Sequence, residues 1–288
     1  MSDPLKGLRD LDLPLLIETS DVDFAEDFYN PALSVAEEYK RGVGYFTSSW
    51  FQFAARGLKG LAKNGGTAKW IISPILEEGD WEALQKGEEA KRDQELYDRL
   101  KHMVSDIEEG LEEKTQNTIA WMIADGLLDI RIAITEENLS GDFHDKWGIV
   151  KDAKKDKIAF HGSQNDSRKG FSNYESYSVF ASWMSDREEQ RIEQHEKRFD
   201  EIWDNAKQDV HSISLPDSIS LEIAELRSDD RPYDSPSESK KMTSAYRWRH
   251  QEEAVNKFLE QGHGILEMAT GTGKTRTSLK ILNRLLRE

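Results

Sequence analysis

Short apolar runs and amphipathic segments alternate along the first part of the chain. Residues 42–46 and 68–73 are apolar runs, and between them residues 50–62 carry apolar side chains every three or four positions. A helix between two strands, with short breaks, is typical of a parallel strand pair in an α/β domain. Further apolar runs predict four more strands, at residues 128–135, 143–150, 157–160 and 176–181. The pattern therefore predicts a sheet flanked by helices.

Two longer segments have the helical period. Residues 186–206 carry apolar side chains on one face, which predicts a helix that packs on the sheet. Residues 77–126 also have helical spacing, but residues 77–113 within them contain fourteen acidic and five basic side chains. We therefore expect residues 77–126 to form an acidic helical arm that is largely solvated.

The composition changes after this helical segment. Residues 207–245 contain nine serines and three prolines, a composition that cannot bury a core and predicts a linker, although residues 215–226 could form a short helix that packs back on the first domain. Residues 246–288 show a new pattern of helix, apolar run, glycine-rich loop and helix. We expect a first domain at residues 1–206, with its core at about 30–205, then the linker and the beginning of a second domain.

Charge and composition narrow the function. The net charge is −16, but residues 141–182 hold six acids and seven bases, and residues 246–288 hold five acids and eight bases, so phosphate binding is compatible with both segments. The chain has no cysteine, which excludes disulfides, thiolate nucleophiles and zinc sites that use sulfur. No apolar stretch is long enough to span a membrane, and the N-terminus lacks a secretory signal. We expect a cytoplasmic protein without a membrane partner.

Polar residues with a repeated spacing follow the predicted strands of a hairpin. His144 and Lys146 are two residues apart, and Ser163 and Asn165 repeat that spacing at the end of the next strand. On a strand, residues two apart share a face, so the hairpin can bring these side chains together at one sheet edge. Histidine can form a covalent phosphoryl intermediate, while lysine and asparagine can donate hydrogen bonds to phosphate oxygens. The spacing indicates phosphodiester chemistry.

These residues, with Gly162, resemble the H-x-K and G-S-x-N motif of the phospholipase D superfamily, specifically its nuclease and restriction-enzyme branch fused to helicases. The resemblance covers about residues 30–205 and implies an α/β fold with a mixed sheet flanked by helices. It implies that His144 attacks phosphorus without a metal, that Lys146 and Asn165 bind the phosphate beside Ser163, and that Glu175 orients the histidine.

The chain departs from this family pattern in two places. Lys151 stands where the motif has an aspartate, and Asp152 is one position late. The family's active site uses two H-x-K motifs, whereas this chain has one. A second copy of the chain must then supply the second histidine, so we expect a homodimer.

A glycine-rich loop marks the second domain. An apolar run, the residues TGTGKT and a predicted helix follow one another in the order that a phosphate-binding loop requires. Lys274 would contact the β- and γ-phosphates of ATP, and Thr275 would ligate Mg²⁺. The segment resembles the first motif of superfamily 2 helicases and helicase-like restriction subunits, with Met268 in place of the usual small residue, and the resemblance implies that Gln251 reads the adenine. The predicted nucleotide-binding residues are Gln251, Thr270, Gly271, Thr272, Gly273, Lys274 and Thr275. We expect residues 246–288 to be the truncated start of a P-loop, RecA-like motor domain.

Three functions remain open. The first is a nuclease acting on DNA, with RNA also open, and steered by an ATP-driven helicase in restriction, antiviral defence or DNA repair. The second is a phosphatidyl-transfer lipase, which is disfavoured because such enzymes usually carry both motifs in one chain and nothing here suits a membrane surface. The third is an inactive phospholipase D-like module that docks DNA or a partner for the motor.

Overall fold

The computed structural model describes residues 7–73, 89–135 and 143–234, together with a few positions between residues 255 and 282. Eight strands form one mixed sheet in the order β1-β7-β6-β5-β2-β3-β4-β8. Strands β2, β3 and β4 run parallel, and the remaining pairs are antiparallel. The strands are β1 Leu16–Glu18, β2 Ala36–Val43, β3 Thr67–Ile72, β4 Leu128–Thr135, β5 Lys146–Asp152, β6 Lys157–Gly162, β7 Ser176–Ala181 and β8 Val210–Ser214.

Six α-helices flank the sheet in the described part of the chain. They are α1 Asn30–Ser34, α2 Ser49–Lys63, α3 Glu89–Gly110, α4 Glu113–Ala124, α5 Asp186–Trp203 and α6 Asp217–Glu225. A π-helical turn, Phe24–Tyr29, leads into α1. The α/β class with a mixed sheet flanked by helices is the one predicted from the sequence. No helix of the described residues is long and apolar enough to cross a membrane.

Two apolar cores lie on opposite faces of the sheet. The larger one packs α1, α2, α4 and α6 against the sheet around Trp50, Trp70 and Phe160. The smaller one packs α5 against the other face through Trp147 and Phe199, whose ring centroids are 6.4 Å apart. Ser185 caps the start of α5, which also has acidic residues in its first turn, the arrangement that stabilises a helix N-terminus.

The predicted strand at residues 42–46 is displaced: β2 spans Ala36–Val43. The apolar pattern did not predict the first part of this strand, because that part contains Lys40 and Arg41, which are charged but buried in the folded chain. Lys40 Nζ lies 2.8 Å from an Asp200 carboxylate oxygen, and Arg41 pairs with Asp166. Buried charges persist in a sheet only when they are paired in this way.

The acidic arm is more integrated than expected. Its described part is two helices, α3 and α4, separated at residues 111–112. Leu100, Val104 and Ile107 of α3 are buried in the larger core, and Lys101 of α3 pairs with Glu222 of α6. The arm therefore packs on the domain rather than standing in solvent.

The predicted linker at residues 207–245 is wrong over its first part. Strand β8 pairs with β4, with Ile213 opposite Ile132, and α6 buries Ile219 and Ile223 in the larger core. Tyr233 is also buried and its hydroxyl donates to Asp125 at 2.9 Å. The sheet domain thus continues to at least residue 234, and the expected short helix at residues 215–226 exists as α6. The rest of the predicted linker lies outside the described residues.

Candidate active site

The ends of four strands meet at one edge of the sheet. Strand β2 ends at this edge, β5 begins there, β6 ends there and β7 begins there, because neighbouring strands of this set alternate in direction. The register places Lys146 opposite Val43 and Gly162 opposite Tyr177. All the residues of the predicted phosphodiester site therefore lie on segments that converge at this edge.

His144 and Lys146 are in direct contact. Lys146 Nζ lies 3.1 Å from each ring nitrogen of His144 and 2.8 Å from the His144 carbonyl oxygen. An ammonium has no lone pair, so a ring nitrogen can only accept a hydrogen bond from it. The geometry therefore places a cation directly beside the imidazole.

The environments of these two residues differ. Strand β5 begins at Lys146, so His144 belongs to the segment before it and is exposed. Lys146, by contrast, is only 4% exposed. Its burial lowers the pKa of Lys146, the guanidinium of Arg41 lowers it further, and the carboxylates of Asp145 and Glu175 oppose this shift.

Asn165 is held beside this pair by the end of β2. The backbone N–H of Tyr45 donates to Asn165 Oδ1 at 3.0 Å, so the two amide hydrogens of Asn165 Nδ2 are the donors left for a ligand. The preceding Gly44 packs directly on His144, since a Cβ at Gly44 would lie 2.8 Å from His144 Cα. The backbone of residues 44–45 thus links Asn165 to His144.

Ser163 and Gly162 fix the junction of β6 and β7. Ser163 Oγ accepts a hydrogen bond from the Ser176 amide at 3.2 Å, and the Ser163 amide donates to the Ser176 carbonyl at 3.1 Å. A Cβ at Gly162 would lie 1.8 Å from the same carbonyl oxygen, so only glycine fits there. Ser163 therefore holds the strand junction, and its hydroxyl proton is still available to a ligand.

Glu175 lies beside the pair but does not hydrogen-bond to His144. Its backbone is fixed by Thr19, whose hydroxyl accepts from the Glu175 amide at 2.9 Å and whose amide donates to the Glu175 carbonyl at 3.0 Å. Its carboxylate accepts from Asn173 Nδ2 at 3.4 Å. The electrostatic effect of Glu175 reaches Lys146. The expected orienting role towards His144 stays a prediction.

Asp145 braces the segment that carries the histidine. Its carboxylate accepts from the Lys146 amide at 3.0 Å, contacts His161 Nε2 at 3.0 Å and contacts Arg198 Nη1 of α5 at 2.6 Å. Burial alone would raise the pKa of Asp145, but the hydrogen bond from His161 and the charge of Arg198 outweigh burial and lower it. His161 of β6 thus takes part in this brace. The motif-adjacent Asp152 acts elsewhere: it accepts from the Lys154 and Asp156 amides in the β5–β6 turn, at 2.9 Å each.

A buried polar network lies beneath the site, and sequence reasoning missed it. Arg41 Nη2 lies 2.5 Å from Asp166 Oδ1 and 2.8 Å from the Tyr177 hydroxyl, and it donates to the Gln164 carbonyl at 3.2 Å. Arg41 and Asp166 side chains are both fully buried. Gln164 and Asp166 flank Asn165, so the network fixes the backbone on both sides of that residue. The available signal was an arginine directly before the apolar run at residues 42–46 and an acid directly after the G-S-x-N motif.

Within the described residues, no group of three or more histidine, aspartate or glutamate side chains is arranged to hold a metal ion. The predicted nucleotide site lies outside the described residues, and this includes every one of Gln251, Thr270, Gly271, Thr272, Gly273, Lys274 and Thr275.

Comparisons with known proteins give matches to both parts of the chain. The family model described as Type III restriction enzyme, res subunit, matches residues 247–288. Among solved structures, NucT from Helicobacter pylori is 17% identical with a TM-score of 0.37, and the match covers 66% of this chain and 94% of NucT. Nuc from Salmonella typhimurium, a phospholipase D family member, is 18% identical with a TM-score of 0.35, and the match covers 64% of this chain and 92% of Nuc. A search of curated protein sequences gives no match.

The match of residues 247–288 agrees with the resemblance that the glycine-rich loop predicted. Residues 247–288 are thus similar to the res subunit of type III restriction enzymes.

Proposed function

We propose that the sheet domain is a nuclease that cleaves DNA through a phosphohistidine at His144. The observation that carries this proposal is the contact of Lys146 Nζ with the imidazole of His144, 3.1 Å from each ring nitrogen, beside an asparagine whose amide hydrogens are free for a ligand. A nucleophile flanked by two fixed donors is the arrangement that displacement at phosphorus needs.

The proposed reaction has two displacements. An unprotonated nitrogen of His144 attacks phosphorus, an N–P bond forms, and the bond from phosphorus to the leaving oxygen breaks. Water then attacks the phosphohistidine, its oxygen bonds to phosphorus, and the N–P bond breaks. Lys146 and Asn165 donate to the non-bridging oxygens, where negative charge develops in both steps. A histidine nucleophile replaces metal-bound water as the attacking group, so we propose that the nuclease needs no metal.

The leaving oxygen needs a proton in the first step. At neutral pH a protonated imidazole is the side chain best suited to supply it. We propose that His144 of a second copy of the chain does so, across a two-fold axis of a homodimer. That imidazole, now neutral, accepts the proton of the attacking water in the second step, so both histidines return to their starting states.

We further propose that the nuclease is coupled to an ATP-driven motor in restriction, antiviral defence or DNA repair. The match of residues 247–288 to a restriction-enzyme helicase subunit supports this coupling. Lys274 would bind the terminal phosphates of ATP, Thr275 would ligate Mg²⁺, and Gln251 would read the adenine.

Plasmid nicking in excess EDTA tests the nuclease proposal. We expect the wild-type chain to nick plasmid without divalent metal, and His144→Ala to lower the rate at least a hundredfold, the order of loss expected when a central catalytic group is removed. The matched control is His102→Ala, because His102 is an exposed histidine on α3. Nicking that disappears in EDTA and returns with Mg²⁺, or that survives in His144→Ala, would contradict the proposal. An inactive docking module would bind DNA and leave it uncut under every condition.

A further inference from the structure

The loop between Asn165 and Glu175 contains basic and aromatic side chains that have no role in the proposed reaction. Residues 167–174 read SRKGFSNY and contain two basic and two aromatic side chains. The loop is flanked on both sides by residues of the candidate active site. Whatever the loop binds must therefore lie close to the phosphate site.

The inner side of this loop is fixed to the domain. Gln164 Nε2 donates to the Gly170 carbonyl at 3.1 Å, and a Cβ at Gly170 would lie 2.1 Å from the Asn165 carbonyl oxygen. Phe171 stacks on Phe53 of α2 with ring centroids 4.2 Å apart and an angle of 25°. These contacts give the loop a defined conformation.

The outer side of the loop presents side chains to solvent. Arg168 and Lys169 are exposed, and neither side chain forms an ion pair or hydrogen bond with another residue in the described part of the chain. Tyr174 is 72% exposed, and its hydroxyl donates to the Glu18 carboxylate, which holds one end of the ring. Unpaired cations attract phosphate, and an exposed ring with a fixed orientation offers a face for stacking.

An open cleft of about 610 Å³ separates this loop from the turn at residues 19–24. Thr19 belongs to this turn, donates to the Asn173 carbonyl at 2.6 Å and accepts from the Glu175 amide at 2.9 Å, so hydrogen bonds join one wall of the cleft to the segment that carries Glu175. Asp21 lines the far side of the cleft and Arg168 the near side. The charges direct a phosphate chain towards the Arg168 side, away from the carboxylates.

We propose that the loop at residues 167–174 binds the substrate strand beside the cleaved phosphate. Arg168 and Lys169 neutralise the neighbouring phosphate, and Tyr174 stacks on a base that has left its helical stack. The ligand is an unpaired nucleotide of the substrate strand, with its phosphate at the Arg168 side of the cleft and its base on the exposed ring of Tyr174. This proposal rests on the proposed nuclease function.

Two rate measurements separate strand binding from chemistry. The kcat/KM for a single-stranded oligonucleotide is divided by that for bis(p-nitrophenyl) phosphate, a phosphodiester without a nucleobase. We expect this ratio to fall about tenfold in Tyr174→Ala, the order of a lost base–aromatic stack, and to fall less in Tyr174→Phe, which retains the ring but loses the hydrogen bond to Glu18. The control Lys63→Ala removes an exposed cation at the far end of α2 and should leave the ratio unchanged.

Binding provides a readout that does not need cleavage. An oligonucleotide that contains 2-aminopurine is titrated in EDTA into the His144→Ala chain, where stacking on Tyr174 should quench its fluorescence. Arg168→Ala with Lys169→Ala should make the slope of log K against log salt shallower by about 0.7, the contribution of the one single-strand phosphate that these two residues neutralise.

The outcomes distinguish the two proposals. If the wild type cleaves neither substrate but the quenching is lost in Tyr174→Ala, the nuclease proposal fails and the loop proposal stands. If the wild type cleaves both substrates while the loop variants keep the wild-type ratio, quenching and salt slope, the loop proposal is overturned.

Discussion

At the scale of single residues, the buried Arg41–Asp166 pair has an energetic consequence. Both side chains are fully buried, and Arg41 Nη1 is buried without a hydrogen-bond partner. Removing one member of a buried ion pair leaves the other charge in an apolar environment. The pair therefore both stabilises the fold and fixes the backbone around Asn165.

We expect Asp166→Ala to lower the free energy of unfolding by about 3–5 kcal/mol, the range for an unpaired buried charge. The control is Lys197→Ala, which removes a 77% exposed partner of Glu201 on α5 and should cost no more than about 0.5 kcal/mol. Urea denaturation at neutral pH measures both. Equal losses in the two variants would show that burial of the Arg41–Asp166 pair has no special cost.

At the scale of elements, apolar patterning predicted most strands and misplaced those whose burial depends on distant partners. Strands β3, β4, β6 and β7 appear where apolar runs predicted them, because their own side chains face the two cores. Strand β2 was predicted late because paired charges occupy buried positions in it. Strand β8 was predicted as linker, because its serine-rich sequence belongs to a sheet only through pairing with β4.

For the candidate site, too, the sequence predicted one part and left another part undetermined. The spacing of His144, Lys146 and Asn165 placed them together, since local motifs and strand alternation are visible in one sequence. The contacts that hold them were not predictable: the Tyr45 amide on Asn165 and the Arg198 side chain on Asp145 join segments that are far apart in the chain. Such contacts depend on the order of strands in the sheet, which the sequence pattern left undetermined.

The C-terminal boundary of the sheet domain gives a prediction at this scale. We expect a chain of residues 1–206 to unfold at a lower temperature than a chain of residues 1–234 and to aggregate. The shorter chain lacks β8 and so exposes the backbone edge of β4, and it also lacks Ile219 and Ile223 of the larger core. Thermal unfolding followed by circular dichroism, with light scattering, compares the two. Identical unfolding temperatures would instead support the prediction of a linker that starts at residue 207.

At the scale of the whole molecule, the proposed proton transfer requires two copies of the chain. We expect mixing of inactive His144→Ala chains with wild type to lower the activity per wild-type chain, because a mixed dimer lacks either the nucleophile or the acid. The mixtures are equilibrated at a fixed total concentration, with His102→Ala chains as the control. A monomer by light scattering that still cuts DNA, or a per-chain activity that is independent of mixing, would contradict the dimer.

The Asp145 brace has a consequence for how substrate binding energy can be used. One carboxylate ties a strand amide, a histidine of the neighbouring strand and an arginine of α5 to the segment between His144 and Lys146. The conformational entropy of that segment is therefore lost when the chain folds, before any substrate arrives. Interactions with DNA then do not have to order the segment that carries His144. Their free energy can instead position the phosphorus for attack. Folding of the domain therefore orders the segment that carries the nucleophile before the substrate binds.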